Sequence, residues 1–78
     1  MLRINEISIS DDYKITAIFD NGEKKIFDLV PYLEKGVFQE LKNIEYFKSV
    51  RNEIYYIQWP HEQDLSADTL YYGGGSAF

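Results

Sequence analysis

His61 is the single histidine of this chain, and Glu62 and Asp64 stand close to it. An imidazole beside carboxylates can hold a metal weakly. With no cysteine in the sequence, however, a zinc site would need several carboxylates around that one histidine. The preferred reading of His61 to Asp64 is a solvated polar turn. A hydrolytic triad needs a nucleophile, a base and a group that orients the base. The serines are Ser8, Ser10, Ser49, Ser66 and Ser76, and none lies in a nucleophile elbow. Ser10 and Ser66 already have turn and capping explanations. Paired acids could exchange protons if buried together. Asp11-Asp12 and Asp20 with Glu23 flank turns instead, where acids are normally solvated. Asp28 has apolar neighbours and reads as a helix cap. Gly73-Gly74-Gly75 lacks the preceding strand, the lysine and the following helix of a phosphate loop. No catalytic, cofactor-binding or metal-ligating residue is therefore assigned.

Aromatic surplus is the feature left over. Seven tyrosines, Tyr13, Tyr32, Tyr46, Tyr55, Tyr56, Tyr71 and Tyr72, cannot all be interior in 78 residues. Tyrosine and tryptophan are enriched at protein interfaces because a large apolar body carries a polar tip. Tyr55, Tyr56, Trp59, His61, Tyr71 and Tyr72 are the candidate partner-binding residues. The competing reading is that the tyrosines roof a thin core.

These side chains need elements to position them, and those centre on Lys14 to Leu29. Ile15, Ala17 and Phe19 alternate with Lys14, Thr16, Ile18 and Asp20, the period of a half-buried strand. Asn21-Gly22 then predicts a two-residue type I′ turn, whose central residues both need positive φ. Lys24 to Leu29 is the returning strand. Upstream, Leu2 to Ser10 alternates too, and Ser10-Asp11-Asp12 is a turn, so three strands form a meander. After Asp28 a short turn is predicted over Val30 to Glu34, with Pro31 in its first turn. A second helical piece covers Val37 to Lys42, and Asn43 can cap a turn over Ile44 to Phe47. Leu29, Leu33, Phe38 and Leu41 are expected to cover the sheet. Tyr46 to Trp59 reads as a second hairpin turning at Asn52-Glu53 and ended by Pro60, which cannot donate to a ladder. Ser66 caps a helix over Ala67 to Tyr72, with Asp68 at its positive end. Gly73 is available for a left-handed cap. The expected fold is α+β: an antiparallel sheet of about five strands, ordered β-β-β-α-β-β-α, with short helices on one face. Residues 1–72 form one domain and residues 73–78 a flexible tail.

Composition narrows the function classes. The formal charge is -5, which disfavours direct nucleic acid binding, since that rests on cations meeting phosphates. A basic protein surface is the better match. No apolar run reaches the ~20 residues of a membrane span and no signal-peptide pattern opens the chain, so no membrane attachment is expected. The lack of cysteine is compatible with a reducing cytoplasm.

Two blocks carry a resemblance: FDNGEKKIFDLVPYL, and IYYIQWPHEQDLSADTLY with FKSV before it. Together they resemble the small bacterial family known as domain of unknown function 2442, from about Ile4 to Tyr72. Members of that family often carry Asn-Gly after the Trp-Pro, where this chain has His61-Glu62-Gln63. The resemblance implies an α+β domain with no known activity or cofactor. It also implies short proteins encoded beside another small domain, in pairs with toxin–antitoxin behaviour, or fused to a helix-turn-helix domain. The expectation is a non-enzymatic interaction module, the antitoxin-like or regulatory member of a two-protein system. The alternative is an accessory domain of a DNA-associated regulator acting through another chain. A small hydrolase ranks below both, and homodimerisation is compatible with any of them.

Overall fold

The computed structural model describes residues 2–76. In chain order, β1 (Ile4–Ile9), β2 (Lys14–Phe19) and β3 (Lys24–Asp28) come first. A 3-10 turn (Val30–Tyr32), a 3-10 helix (Gly36–Lys42) and α1 (Ile44–Phe47) follow. Then come β4 (Arg51–Asn52), β5 (Tyr56–Gln58), β6 (Asp64–Ser66), α2 (Ala67–Gly73) and β7 (Gly75–Ser76). The class is α+β, but the expected single sheet of about five strands is two antiparallel sheets, β1-β2-β3-β7 and β4-β5-β6. The sequence hides the two extra strands for a physical reason. Asp64-Leu65-Ser66 is too short, with one apolar residue, to show a period, and Gly75-Ser76 offers no apolar side chain to read.

The meander packs as its alternation requires. Ile15, Ala17, Phe19 and Phe27 point to one side and are buried there. Leu29, Leu33 and Leu41 cover them, with Phe38 half-buried at the margin. Asp28 accepts the Val30 N–H (3.0 Å), which starts the turn that carries Leu33. Asn43 accepts the N–H groups of Glu45 (3.1 Å) and Tyr46 (3.3 Å), so Tyr46 and Phe47 fold into α1 and do not extend the second hairpin. Phe47 then meets Trp59, whose indole N–H donates to the Phe47 carbonyl at 2.8 Å. Burial of nine large side chains, Trp59, Phe19 and Phe47 among them, supplies most of the stability a chain of this size can gather.

Three hairpin connections share one geometry. Ser10 N–H donates to Lys14 O (3.0 Å) and Tyr13 N–H to Ser10 O (3.3 Å). Phe19 with Glu23 and Gly22 repeats this at 2.9 Å in both bonds, and Trp59 with Gln63 and Glu62 at 2.9 and 3.0 Å. Each is a three-residue loop whose last residue is left-handed: Tyr13 (φ 67), Gly22 (φ 86) and Glu62 (φ 76). The predicted two-residue turn at Asn21-Gly22 is corrected accordingly, because Asn21 does not take positive φ. Its side chain accepts the Glu23 N–H instead (3.0 Å), which fixes the longer loop. Glycine suits the third position. Tyr13 is held there by its ring against Phe47 (5.3 Å) and by its hydroxyl, which donates to the Lys42 carbonyl.

The second hairpin turns at Ile54-Tyr55, two residues beyond the predicted Asn52-Glu53. Asn52 is engaged elsewhere: its Oδ1 accepts the Ile54 N–H (2.8 Å) and its amide donates to the Ile4 carbonyl (2.9 Å). Ser66 caps α2 as expected, accepting the Thr69 N–H at 3.1 Å. The predicted left-handed cap at Gly73 is absent, and Gly74 beyond it is extended (φ -90). These glycines serve close approach. A Cβ on Gly73 would lie 2.9 Å from the Phe27 ring, and one on Gly74 2.6 Å from the Leu70 carbonyl oxygen. With α2 seated this tightly on β3, Gly75 and Ser76 reach Ile26 and Lys25 and pair with them. Of the tail expected to be flexible from residue 73, Gly73 closes α2 and Gly75–Ser76 form β7, while Ala77 and Phe78 lie outside the described residues.

Candidate protein-interaction surface

The six candidate residues divide among three environments. Trp59 is 1% exposed and belongs to the core, so it leaves the partner-binding set. Its place in an alternating strand, with aromatics on both faces, did not tell the inner face from the outer one. Tyr55 (44% exposed) and Tyr56 (39%) flank the second turn beside Ile54 (42%). Tyr72 is 79% exposed on α2, and Tyr71 is half-buried, edge-on to Phe19 at 5.1 Å.

The turn carrying Ile54 and Tyr55 is built with care. Ile54 sits at φ 75, an outlying conformation for a β-branched residue. Tyr55 N–H donates to Glu53 O (2.9 Å) and closes a γ-turn around it, while Glu53 N–H donates to Tyr56 O (2.8 Å). The Ile54 carbonyl accepts the Ile4 N–H (2.7 Å), and this bond ties the turn to the start of β1. With the two bonds from Asn52, the backbone here is over-determined, which is the condition for a strained conformation to persist.

A run of contacts joins this turn to the tyrosines of α2. The Arg3 guanidinium lies 5.9 Å from the Tyr55 ring centroid. The Arg3 carbonyl accepts the Asp20 N–H (2.9 Å), and the neighbouring Asn21 amide reaches the Tyr71 hydroxyl at 3.5 Å. The Tyr71 hydroxyl donates to the Glu23 carboxylate, Lys25 Nζ covers the Tyr71 ring at 4.8 Å, and Tyr72 packs edge-on against Tyr71 at 5.0 Å. Ile54, Tyr55, Arg3, the Asp20–Gly22 loop, Tyr71 and Tyr72 thus line one end of the molecule. Among the described residues no cation is paired with the exposed Asp20 or Asp68, and no acid with Arg3, so this end carries free charges of both signs.

His61 lies at the other end of β5, in the loop after Trp59. It is solvated, as the sequence implies, with 63% of its side chain exposed, but it is not without partners. Its Nδ1 is 2.5 Å from Glu40 Oε2, and its ring lies 5.1 Å from Tyr46. Buried Gln63 organises the cluster: its amide donates to Glu40 Oε1 (2.9 Å) and Val37 O (3.0 Å), and its carbonyl accepts the Tyr46 hydroxyl (2.6 Å). The Tyr46 oxygen in turn accepts the His61 N–H (2.9 Å). Hydrogen bonds from Gln63 first, and then from His61, hold the Glu40 carboxyl below its usual range. Sequence reasoning missed Glu40 and Gln63, since a glutamate 21 residues from its histidine leaves no spacing to read. Glu62 and Asp64, the acids adjacent to His61, are not its partners. Among the described residues no group of three or more potential metal ligands occurs, no pocket opens, and no helix is long and apolar enough to cross a membrane. The cluster is a clasp between the Pro60–Glu62 loop and the 3-10 helix.

Compared with known proteins, the chain matches the family model described as "Protein of unknown function (DUF2442)" over residues 4–76. No curated protein and no solved structure matches it.

Proposed function

The chain belongs to the DUF2442 family, and we propose that it is a non-enzymatic protein-interaction module, the antitoxin-like or regulatory member of a two-protein bacterial system. The observation that carries this reading is the Ile54-Tyr55-Tyr56 turn. Three large apolar side chains are held out to solvent on a backbone that hydrogen bonds fix in a strained form. A rigid aromatic anchor loses little conformational freedom on binding, and such anchors dominate interface energetics. Tyr71 and Tyr72 extend the surface, and the formal charge of -5 favours a partner with a basic rim over nucleic acid. The two-protein setting comes from the family resemblance and has its natural place in the cytoplasm.

Binding between the purified chain and the product of the adjacent gene, measured by calorimetry, tests the proposal. Tyr55→Ala with Tyr56→Ala should weaken binding by at least about 2 kcal/mol, roughly thirty-fold. The double variant should keep the wild-type unfolding midpoint, since both side chains are exposed. Equal affinity of the double variant and the wild type, or reproducible turnover by the chain alone, would refute it.

A further inference from the structure

The four-stranded sheet stops at β1, and the register shows what its free side presents. Ser10 donates to Lys14 O, so Ser10 and Lys14 are a hydrogen-bonded pair. Antiparallel pairs alternate, so Ser8↔Thr16 and Glu6↔Ile18 also exchange bonds, while Ile9↔Ile15 and Ile7↔Ala17 do not. The N–H and C=O of Ile7 and Ile9 therefore point away from β2, and no described residue bonds to them. Further back the edge is closed. The Ile4 N–H bonds Ile54 O, the Ile4 carbonyl takes the Asn52 amide, and a bulge lies between Ile4 and Glu6. Bulges and charges are how proteins protect sheet edges, yet Ile7-Ser8-Ile9 has neither.

We propose that this stretch is a homodimer interface, in which β1 strands of two copies pair antiparallel about a two-fold axis through Ser8. The axis sets Ile7 of each copy opposite Ile9 of the other, and all the outward groups of both residues find partners at once. Ile-Ser-Ile reads the same in both directions, so one strand is its own complement. Ile7 and Ile9 lie on the core side of the sheet, opposite buried Ala17 and Ile15, and are half-buried in the single chain. A second copy continues that apolar layer across the axis. On the outer side Glu6 meets Ser10, so no like charges face each other. The same register carries the Asp11-Asp12 loop of one copy, where Lys48 and Lys14 already pair with the two acids, towards Arg3 of the other. A second copy fits better than an unrelated extended segment because symmetry supplies the hydrogen bonds and the apolar pairs together.

Sedimentation equilibrium of the full chain, from micromolar to millimolar, should show the mass rising to twice the monomer value. Ser8→Lys and Ser8→Glu each place like charges across the axis, and each should weaken self-association several-fold. Ser8 is exposed, so both variants should keep the circular dichroism spectrum and unfolding midpoint of a folded chain. An equimolar mixture of the two should associate more tightly than either alone. Tyr55→Ala with Tyr56→Ala should leave self-association unchanged, so this inference and the aromatic-surface proposal fail separately. A monomer at every concentration, undiminished pairing by the Ser8 variants, or a mixture no tighter than its components would overturn the proposal.

Discussion

Replacing each of the three consecutive glycines by alanine, one at a time, tests how α2 is seated on β3. At Gly74 the new Cβ would meet the Leu70 carbonyl oxygen at 2.6 Å, the Lys25 Cβ at 3.1 Å and the Ile26 carbonyl oxygen at 3.2 Å. Two of these are backbone atoms of packed elements, so no rotamer change relieves the contact. Overpacking of this kind costs about 1–3 kcal/mol. Gly74 is extended, a conformation alanine adopts freely, so restricting the unfolded chain returns about 0.4–1 kcal/mol. Gly74→Ala should therefore destabilise by about 0.5–2 kcal/mol, a fall of several degrees in Tm for a domain of this size. At Gly73 the Phe27 ring stands 2.9 Å away and is itself buried, so the sign is the same. At Gly75 nothing lies within 4 Å, and alanine there should be neutral or stabilise by up to about 1 kcal/mol. Urea unfolding followed by circular dichroism measures all three. Equal effects at Gly74 and Gly75, or a stabilised Gly74→Ala, would refute the close-approach argument and with it the reason for β7.

The other left-handed loop positions make a contrasting pair. Glu62→Gly should stabilise by about 0.5–1 kcal/mol, the left-handed strain of an L-residue less the entropy of glycine. Tyr13→Gly relieves the same strain but loses the Phe47 contact, and should destabilise by about 2–4 kcal/mol in the same urea titration. Glu40 is lowered in the fold by Gln63 and His61, so its contribution to stability is present above the ordinary glutamate value. That contribution should fade as the pH falls through the lower folded value. Glu40→Gln should flatten this part of the pH–stability curve, and an unchanged acid limb would count against the clasp.

The hydrophobic period made the meander legible, and its inner face of Ile15, Ala17 and Phe19 is as the alternation requires. Caps at Asn43 and Ser66 were legible too, because each acts on backbone two or three residues away; Asp28 bonds the Val30 N–H, but the cap position of that turn is Leu29. Features resting on distant partners were not. β7 has no side-chain pattern, and the γ-turn at Ile54 needs Ile4 and Asn52 to hold it. The clasp joins Glu40 to residues more than twenty positions on. Tyrosine surplus pointed to a surface, but period-two reasoning could not separate outward Tyr56 from inward Trp59. The family model covers residues 4–76 and adds kinship without a role.

Trp59 gives this chain a natural optical reporter. It is the one indole among seven phenols, sealed from water, with its N–H on a carbonyl and its ring 6.2 Å from Phe47. Emission excited selectively from it reads the junction of α1 with the smaller sheet. A blue-shifted spectrum that moves to the red on dilution of the protein would reveal that assembly and the interior are coupled. A spectrum that holds steady while partners come and go would show that recognition leaves the interior untouched, with no label introduced.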